Sequence, residues 1–251
     1  MAGQPKRPTP RHEEIAEDLR ARITAGDYAE DGQLAKSEDE LSAHYGAARG
    51  TIRQAVAQLR GEGLVESRRS KGLFVTPWRP IPRNSPQRLS VEQWGSGQSI
   101  WDLDLDGRQL EVKDVQIEQL PAEPNVARSL GLAEGGLVWR RARRFFVEER
   151  PVQYAVSYLP AGLVEGSRIT QINTGPGGTP ARLKELGHEP VRHREELRPR
   201  MPTAAERELL QLHRETPVLE IVRVSWDAAE TAVERVEMLL DGSRYVLGYD
   251  F

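Results

Sequence analysis

Residues 36–60 read KSEDELSAHYGAARGTIRQAVAQLR, and this stretch decides the fold of the N-terminal part of the chain. Ser37, followed three residues later by Glu40, forms a capping box, which predicts that a short helix begins there. Gly46 is placed to end that helix in a tight turn. The stretch therefore opens with a short capped helix and a turn.

A second helix is predicted to begin near Arg49. Its apolar positions are spaced i, i+4 and i+7, which is typical of one buried helix face. These positions are Ile52, Val56 and Leu59. Two helices joined by a tight turn predict a helix-turn-helix at residues 36–55.

The segments on either side complete this unit. Upstream, Ile15, Leu19 and Ile23 recur every four positions and predict an amphipathic helix. Downstream, two short strand-like runs flank a basic turn at residues 68–72, as in a β-hairpin. The order helix, helix, turn, helix, hairpin predicts a winged helix-turn-helix over residues 12–76.

The second helix carries polar side chains away from its apolar stripe. Arginine, threonine and glutamine are the types that reach phosphates and base edges in the major groove of DNA. The candidates on the helix are Arg49, Thr51, Arg53 and Gln54, and those on the hairpin turn are Arg69 and Lys71. The sequence thus predicts binding to double-stranded DNA, with a solvated helix face as the alternative.

Composition limits the remaining possibilities. The 251 residues suit two domains, and the absence of cysteine excludes disulfides, thiol catalysis and cysteine-ligated zinc. No apolar run approaches the ~18 residues of a membrane span. The net charge of −3 means that DNA contacts must come from local clusters of basic residues. We expect a cytoplasmic protein that neither contacts a membrane nor uses a cofactor.

The rest of the chain is predicted to form a second domain. Residues 1–11 are expected to be a disordered tail, and the proline-rich residues 77–90 a linker. Residues 91–251 alternate strand-like and helical segments without regular βαβ order. That pattern favours an α+β domain with a mostly antiparallel sheet.

Residues 12–75 resemble the DNA-binding domain of the GntR family of bacterial regulators. The resemblance is carried by Ile15–Ile23, Ser37–Leu41, Arg49–Val56, Gly61–Val65 and Lys71–Val75. It implies that Ser37 caps its helix against a phosphate, that Arg49 and Arg53 are the principal readers, and that Thr51 contacts the DNA backbone. It also implies wing contacts. The remaining candidate contacts are Gly50, Gln54, Arg69, Ser70, Lys71 and Gly72.

Four positions depart from the usual residues of that family. Asp39 stands where arginine is usual, Ala48 and Gly50 stand where serine or threonine is usual, and Ser70 replaces a wing glycine. We therefore expect an altered operator, or weaker binding that depends on the dimer and the wing.

Residues 88–251 resemble the UTRA effector domain of the HutC-like branch of that family, a domain similar in fold to chorismate lyase. Within that branch they resemble the actinobacterial subgroup. The resemblance is carried by Arg143–Pro160, Leu183–Gly187, the helix at Thr203–Glu206 and Ser243–Leu247. It implies a homodimer that binds a pseudo-palindromic operator, most simply a repressor that a small-molecule effector releases. The candidate effector-binding residues are Arg143, Tyr154, Ser157 and Glu234.

Some members bind phosphorylated amino sugars, but several of their polar positions are apolar here. Phe145, Ala155, Pro180 and Leu240 replace the usual arginine, glutamate and tyrosines. We therefore expect a less charged or more apolar effector, or none. Aromatic residues are alternative pocket residues, although burial in the core is the favoured explanation for each of them. They are Trp94, Trp101, Tyr154 and Tyr158.

Two other functions remain open: a constitutive repressor with a vestigial pocket, and an enzyme of chorismate-lyase-like fold tethered to DNA. The enzyme would require a convergent acid–base pair, and the sequence offers none. Residues 102–107 imitate half of a calcium-binding loop, but Lys113 stands at its twelfth position. His188 and His193 lack a clear third metal ligand. We expect no bound metal.

Overall fold

The structure is a computed structural model that describes residues 9–28, 32–68, 70–76, 79–84, 105 and 108–249. The chain divides into two compact units. The first holds Met1–Arg79 with Leu212–Pro217, and the second holds Pro80–Gln211 with Val218–Phe251. Every helix among the described residues is too short or too polar to cross a bilayer.

The first unit combines helices with a small antiparallel sheet of strand order β1-β3-β2. Its elements are α1 (Arg11–Ala25), β1 (Gln33–Ala35), α2 (Glu38–Tyr45), α3 (Arg49–Gly61), β2 (Val65–Arg68) and β3 (Gly72–Val75). The predicted helices and hairpin are present in the predicted order. Strand β1 was not predicted, because three residues are too few to show a period.

The core of this unit lies between α1, α3 and the sheet. Ile52, Val56 and Leu59 have no exposed surface, as the spacing along α3 predicts. They pack in one cluster with Ile15 and Leu19 of α1. Burying this stripe fixes the rotation of α3 about its axis, so its polar side chains face outward.

The predicted capping box at the start of α2 forms only in part. The hydroxyl of Ser37 accepts a hydrogen bond from the backbone N–H of Glu40 at 3.3 Å. The carboxylate of Glu40 accepts from the N–H of Lys36 at 2.7 Å. Both side chains therefore satisfy backbone donors at the entry to the helix, which stabilises its N-terminus.

The second unit is built on a six-stranded antiparallel sheet of order β5-β6-β7-β10-β9-β8. Its strands are β4 (Ile81–Asn84), β5 (Leu110–Pro121), β6 (Leu137–Val147), β7 (Arg150–Pro160), β8 (Arg192–Arg200), β9 (Val218–Trp226), β10 (Ala232–Asp241) and β11 (Tyr245–Gly248). Its helices are α4 (Pro124–Leu130), α5 (Ala161–Val164), α6 (Gly178–Glu185) and α7 (Ala204–Leu210), with a 3₁₀ turn at Arg168–Thr170. The α+β class and the antiparallel sheet are confirmed.

The expected linker at residues 77–90 contains a short strand. β4 pairs in parallel with β11 and includes Pro82. A proline has no N–H to donate, but β4 belongs to a two-stranded sheet, so one of its edges needs no partner. Arg83 anchors β4 through a buried ion pair with Glu195, with N–O distances of 2.5 and 2.9 Å.

The strand register brings charged residues from three strands into one row that crosses five strands of the large sheet. Directly opposed positions share a face of a sheet. The row runs through Arg141, Ser157, Val236, Arg223 and Glu195. One face of this sheet therefore carries guanidinium groups that are far apart in the sequence.

Candidate functional site

The polar face of α3 is exposed. Arg49, Gly50, Arg53 and Gln54 are exposed, and Thr51 is half-buried. The side chains of Arg49 and Arg53 retain 68% and 72% of their accessible surface. They lie one helical turn apart and therefore point the same way from α3. The predicted DNA-reading surface is thus accessible on the helix that follows the tight turn.

Both arginines nevertheless contact acidic residues at the start of α2. Arg49 makes two contacts with Asp39, one from Nε and one from Nη2. Arg53 approaches Glu38 with an Nε–Oε2 distance of 3.6 Å, which is an ion pair without a hydrogen bond. Because all four side chains lie at the surface, these pairs contribute little to stability and leave the cations accessible.

The hairpin places its polar residues at the tip of the wing. Ser70 and Lys71 are exposed, whereas Arg69 lies outside the described residues. Ser70 has a φ of 59°, a left-handed conformation that favours glycine. Gly72 has a φ of 108°, and a Cβ there would lie 2.4 Å from the carbonyl oxygen of Ala35. A glycine is therefore required where the wing crosses β1.

A cavity of about 400 Å³ opens on one face of the large sheet. Strands β5, β6, β9 and β10 form its floor, and residues 172–180, which lead into α6, form its rim. Its charged lining residues are Arg141, Arg143, Arg223 and Glu234. Its apolar lining residues include Val112, Val115 and Phe145.

Each arginine of the pocket is held by a different partner. Arg141 donates to the backbone carbonyls of Ile169, Gln171 and Ile172, which fastens the rim segment to the sheet. Arg143 donates to the hydroxyl of Ser157 at 2.9 Å. Arg223 lies 3.5 Å from the carboxylate of Glu234.

The pocket carries an excess of positive charge. Three guanidinium groups face one carboxylate, and all four residues are buried. Burial lowers the pKa of Arg143 to about 10, and it also lowers the pKa of Arg141. The buried Nε–H groups of Arg141 and Arg223 have no acceptor among the described residues. Such a site is suited to an anion.

The structure brings together three of the four predicted effector-binding residues. Arg143 and Glu234 line the pocket, and Ser157 lies behind Arg143 and orients it. Tyr154 does not line this pocket: successive residues of a strand alternate sides, so its side chain lies on the opposite face of the sheet. There its hydroxyl accepts a hydrogen bond from Arg140 at 3.2 Å.

Sequence reasoning missed Arg141 and Arg223. The alternation of β6 places Arg141 on the same face as Arg143, and the sequence contains that signal. Arg223 joins them only through the register of β9 against β10. The expectation of a weakly charged effector rested on the apolar replacements and did not include these two cations. The cationic lining of the pocket does not support that expectation.

Among the described residues, the remaining candidates do not gather into a site. Trp94, Trp101 and the calcium-loop imitation at 102–107 lie outside the described residues, except for Leu105. His188 bonds Asp227 at 2.8 Å, and His193 bonds Ser225 at 2.9 Å. Within the described part of the chain, no three metal-ligating side chains cluster.

Comparison with known proteins gives two family matches. The UTRA domain model matches residues 106–246, and the model described as bacterial regulatory proteins, gntR family, matches residues 11–75. The first covers more than half of the chain, and the second covers the helix-turn-helix and its wing.

Whole-length relatives support both matches. The chain is 31% identical to an HTH-type transcriptional regulator of Streptomyces coelicolor, over 96% of this chain and 93% of that protein. It is 24% identical to the HTH-type transcriptional repressor NagR of Bacillus subtilis, over 95% and 93% of the two chains. The crystal structure of PhnF from Mycobacterium smegmatis shares the fold, with a TM-score of 0.59 at 22% identity over 94% and 98% of the chains.

Proposed function

Because this chain belongs to the GntR family of bacterial regulatory proteins and carries a UTRA domain, we propose that it is a homodimeric, cytoplasmic repressor released by a small-molecule effector. It is a DNA-binding transcriptional regulator. In this proposal residues 12–76 bind a pseudo-palindromic operator, residues 77–90 connect the two parts, and residues 91–251 bind the effector and form the dimer.

One observation carries the DNA-binding role. Arg49 and Arg53 are exposed on α3, while Ile52, Val56 and Leu59 of the same helix are fully buried. This is the arrangement that a helix needs to lie in the major groove without losing its core contacts. The exposed wing residues Ser70 and Lys71 are then available to the flanking backbone.

Footprinting on the DNA upstream of the gene for this chain tests that role. We expect protection of a pseudo-palindromic site at physiological salt, and loss of protection in the Arg49→Ala and Arg53→Ala variants. Arg11→Ala is a suitable control, since Arg11 is an exposed arginine on α1. The proposal is wrong if no site is protected, or if both reading-helix variants protect like the parent.

For the effector we propose a compound that bears a carboxylate or phosphate group. The support is the buried charge of the pocket, where Arg141, Arg143 and Arg223 outnumber the single carboxylate of Glu234. An anion would provide acceptors for the Nε–H groups of Arg141 and Arg223, which find none among the described residues. The volume of about 400 Å³ suits a metabolite rather than a polymer.

Thermal shift measurements with citrate, inorganic phosphate and hexose phosphates test the effector class, each beside an uncharged analogue. A ligand at ~100 times its Kd stabilises the folded protein by about 2.7 kcal/mol. We expect Arg223→Met to abolish the shift and Arg140→Met to retain it, since Arg140 lies on the opposite face of the sheet. Equal shifts with charged and uncharged compounds would contradict an anionic effector.

We infer that the UTRA domain binds rather than catalyses. Glu234 is the one carboxylate among the described lining residues of the pocket, and it is already paired with Arg223. An acid–base reaction needs two groups of opposite role. A constitutive repressor remains the alternative, and it predicts no thermal shift with any anion together with a normal footprint.

A further inference from the structure

In the proposed function, an acidic residue on the DNA-facing surface, Asp39, is in direct contact with Arg49. Asp39 lies in the first turn of α2 and keeps 56% of its side-chain surface exposed. Nη2 of Arg49 donates a hydrogen bond to Oδ2 of Asp39, and Nε forms an ion-pair contact with Oδ1, so the carboxylate lies against the Nε/Nη2 edge of the guanidinium.

This geometry uses only one edge of the guanidinium. A guanidinium has five N–H groups in a fixed plane, and Asp39 takes the edge formed by Nε and Nη2. The edge formed by Nη1 and the second Nη2 hydrogen is left for another acceptor. Arg49 retains 68% of its side-chain surface, so that edge has access to a ligand.

A guanine fits the remaining edge better than a phosphate does. The O6 and N7 atoms of guanine accept two parallel hydrogen bonds from an arginine in the major groove. A phosphate brought to the same place would also meet the carboxylate of Asp39, which repels it. Guanine offers the same two acceptors without a full negative charge.

We propose that Asp39 is a positioning residue that makes Arg49 a guanine reader instead of a phosphate anchor. This inference rests on the proposed DNA-binding function. Arg53 differs, because its contact with Glu38 is a 3.6 Å ion pair without a hydrogen bond and does not fix the guanidinium edge. The sequence preference of α3 at one base pair of each half-site then depends on Asp39, which does not itself need to touch DNA.

The experiment begins by selecting duplexes from a randomised library with the wild-type chain. Each guanine of the selected duplex is then replaced singly by 7-deazaguanine, which keeps base pairing but removes the N7 acceptor. Affinities are measured for wild type, Asp39→Asn and Glu38→Gln. The two variants remove the same charge from neighbouring positions, so they separate charge from positioning.

At one guanine position we expect wild type to lose at least tenfold in affinity on replacement, and Asp39→Asn to lose less than twofold. The Asp39→Asn variant should also bind with a steeper salt dependence, by about one unit of slope, because Arg49 becomes free to contact a phosphate. Glu38→Gln should keep the wild-type sensitivity to 7-deazaguanine. Circular dichroism and thermal melting check that each variant is folded.

Other outcomes overturn the inference. If Asp39→Asn keeps the tenfold sensitivity, or Glu38→Gln loses it equally, Asp39 does not position Arg49. If no guanine replacement affects wild type, Arg49 does not read guanine. If wild type selects no duplex, the proposed regulatory function itself fails, and this inference fails with it.

Discussion

At the residue scale, glycines differ sharply in what they do in the DNA-binding unit. A Cβ on Gly72 would lie 2.4 Å from the carbonyl oxygen of Ala35 and 2.8 Å from Cα of Lys36, in a backbone conformation with positive φ. A Cβ on Gly50 would meet nothing within 4 Å, and Gly50 lies inside α3. The geometry of the wing therefore requires Gly72, whereas Gly50 lowers the stability of α3.

The substitution Gly72→Ala is therefore expected to destabilise the DNA-binding unit by about 1–3 kcal/mol, because strain and a backbone clash act together. The matched substitution Gly50→Ala is expected to stabilise it by about 0.5–1 kcal/mol, because alanine loses less backbone entropy in a helix. Denaturant unfolding of both variants checks the two signs. Equal effects would show that the wing does not depend on the crossing at Ala35.

At the element scale, helix α3 begins without a side-chain cap. Ala48 occupies the N-cap of α3 with φ −61° and ψ 145°, and no side chain accepts from the first-turn N–H groups. By contrast, Ser37 caps α2 and Thr203 caps α7. Helix α3, which carries the proposed reading residues, thus belongs with the described helices that begin without such a cap, which also include α1, α4, α5 and α6.

We expect Ala48→Ser to stabilise the folded state by about 0.5–1 kcal/mol, because its hydroxyl accepts from the N-terminal N–H groups of α3. Ala48→Asp should stabilise similarly, with help from the helix dipole, yet it adds negative charge beside Arg49. Unfolding midpoints measure the first effect, and duplex binding measures the second. If Ala48→Asp binds DNA as well as Ala48→Ser, the N-terminus of α3 does not approach phosphate.

Helix α7 offers a titratable cap. Glu206 accepts hydrogen bonds from Arg200 at 2.6 and 2.8 Å and from the N–H of Thr203 at 2.8 Å. Arg200 is the main cause that lowers the pKa of Glu206 to about 2, from its ordinary 4.5. Because the folded pKa is depressed, this stabilisation is complete above about pH 4.5 and is lost as the pH falls towards 2.

The free energy of unfolding should therefore fall less steeply below pH 4.5 in Glu206→Gln than in wild type. Glu208→Gln, at an exposed position of the same helix, is the control and should follow wild type. Unfolding midpoints between pH 6 and pH 3 decide the matter. Parallel curves for wild type and Glu206→Gln would show that the Arg200 contact does not contribute.

At the scale of the whole molecule, the proposed dimer makes a prediction about operator length. Two copies of α3 would each bind one half-site, and linking two binding events raises affinity through effective concentration. A duplex with both half-sites should bind at least ~100-fold more tightly than a duplex with one. Titrations of the two duplexes, with sedimentation to count chains per duplex, test this. Equal affinities, or one chain per full site, would contradict the dimer.

Local patterns in the sequence were sufficient to predict the winged helix and the exposed polar face of α3. The stripe of Ile52, Val56 and Leu59, and the cap at Ser37, are readable over one or two helical turns. The antiparallel α+β character of the second unit was also predictable from alternating strands and turns. These features depend on residues that are neighbours along the chain.

The tertiary structure alone decided the rest. Only the strand register brings Arg223 to Arg143, and only the approach of α2 to α3 joins Asp39 to Arg49. The two residues of each pair are 80 and 10 positions apart in the sequence, respectively, and no local period predicts that they lie close together. The grouping of charges in space, whether like or opposite, is set by packing, because the Coulomb interaction depends on distance and not on sequence separation.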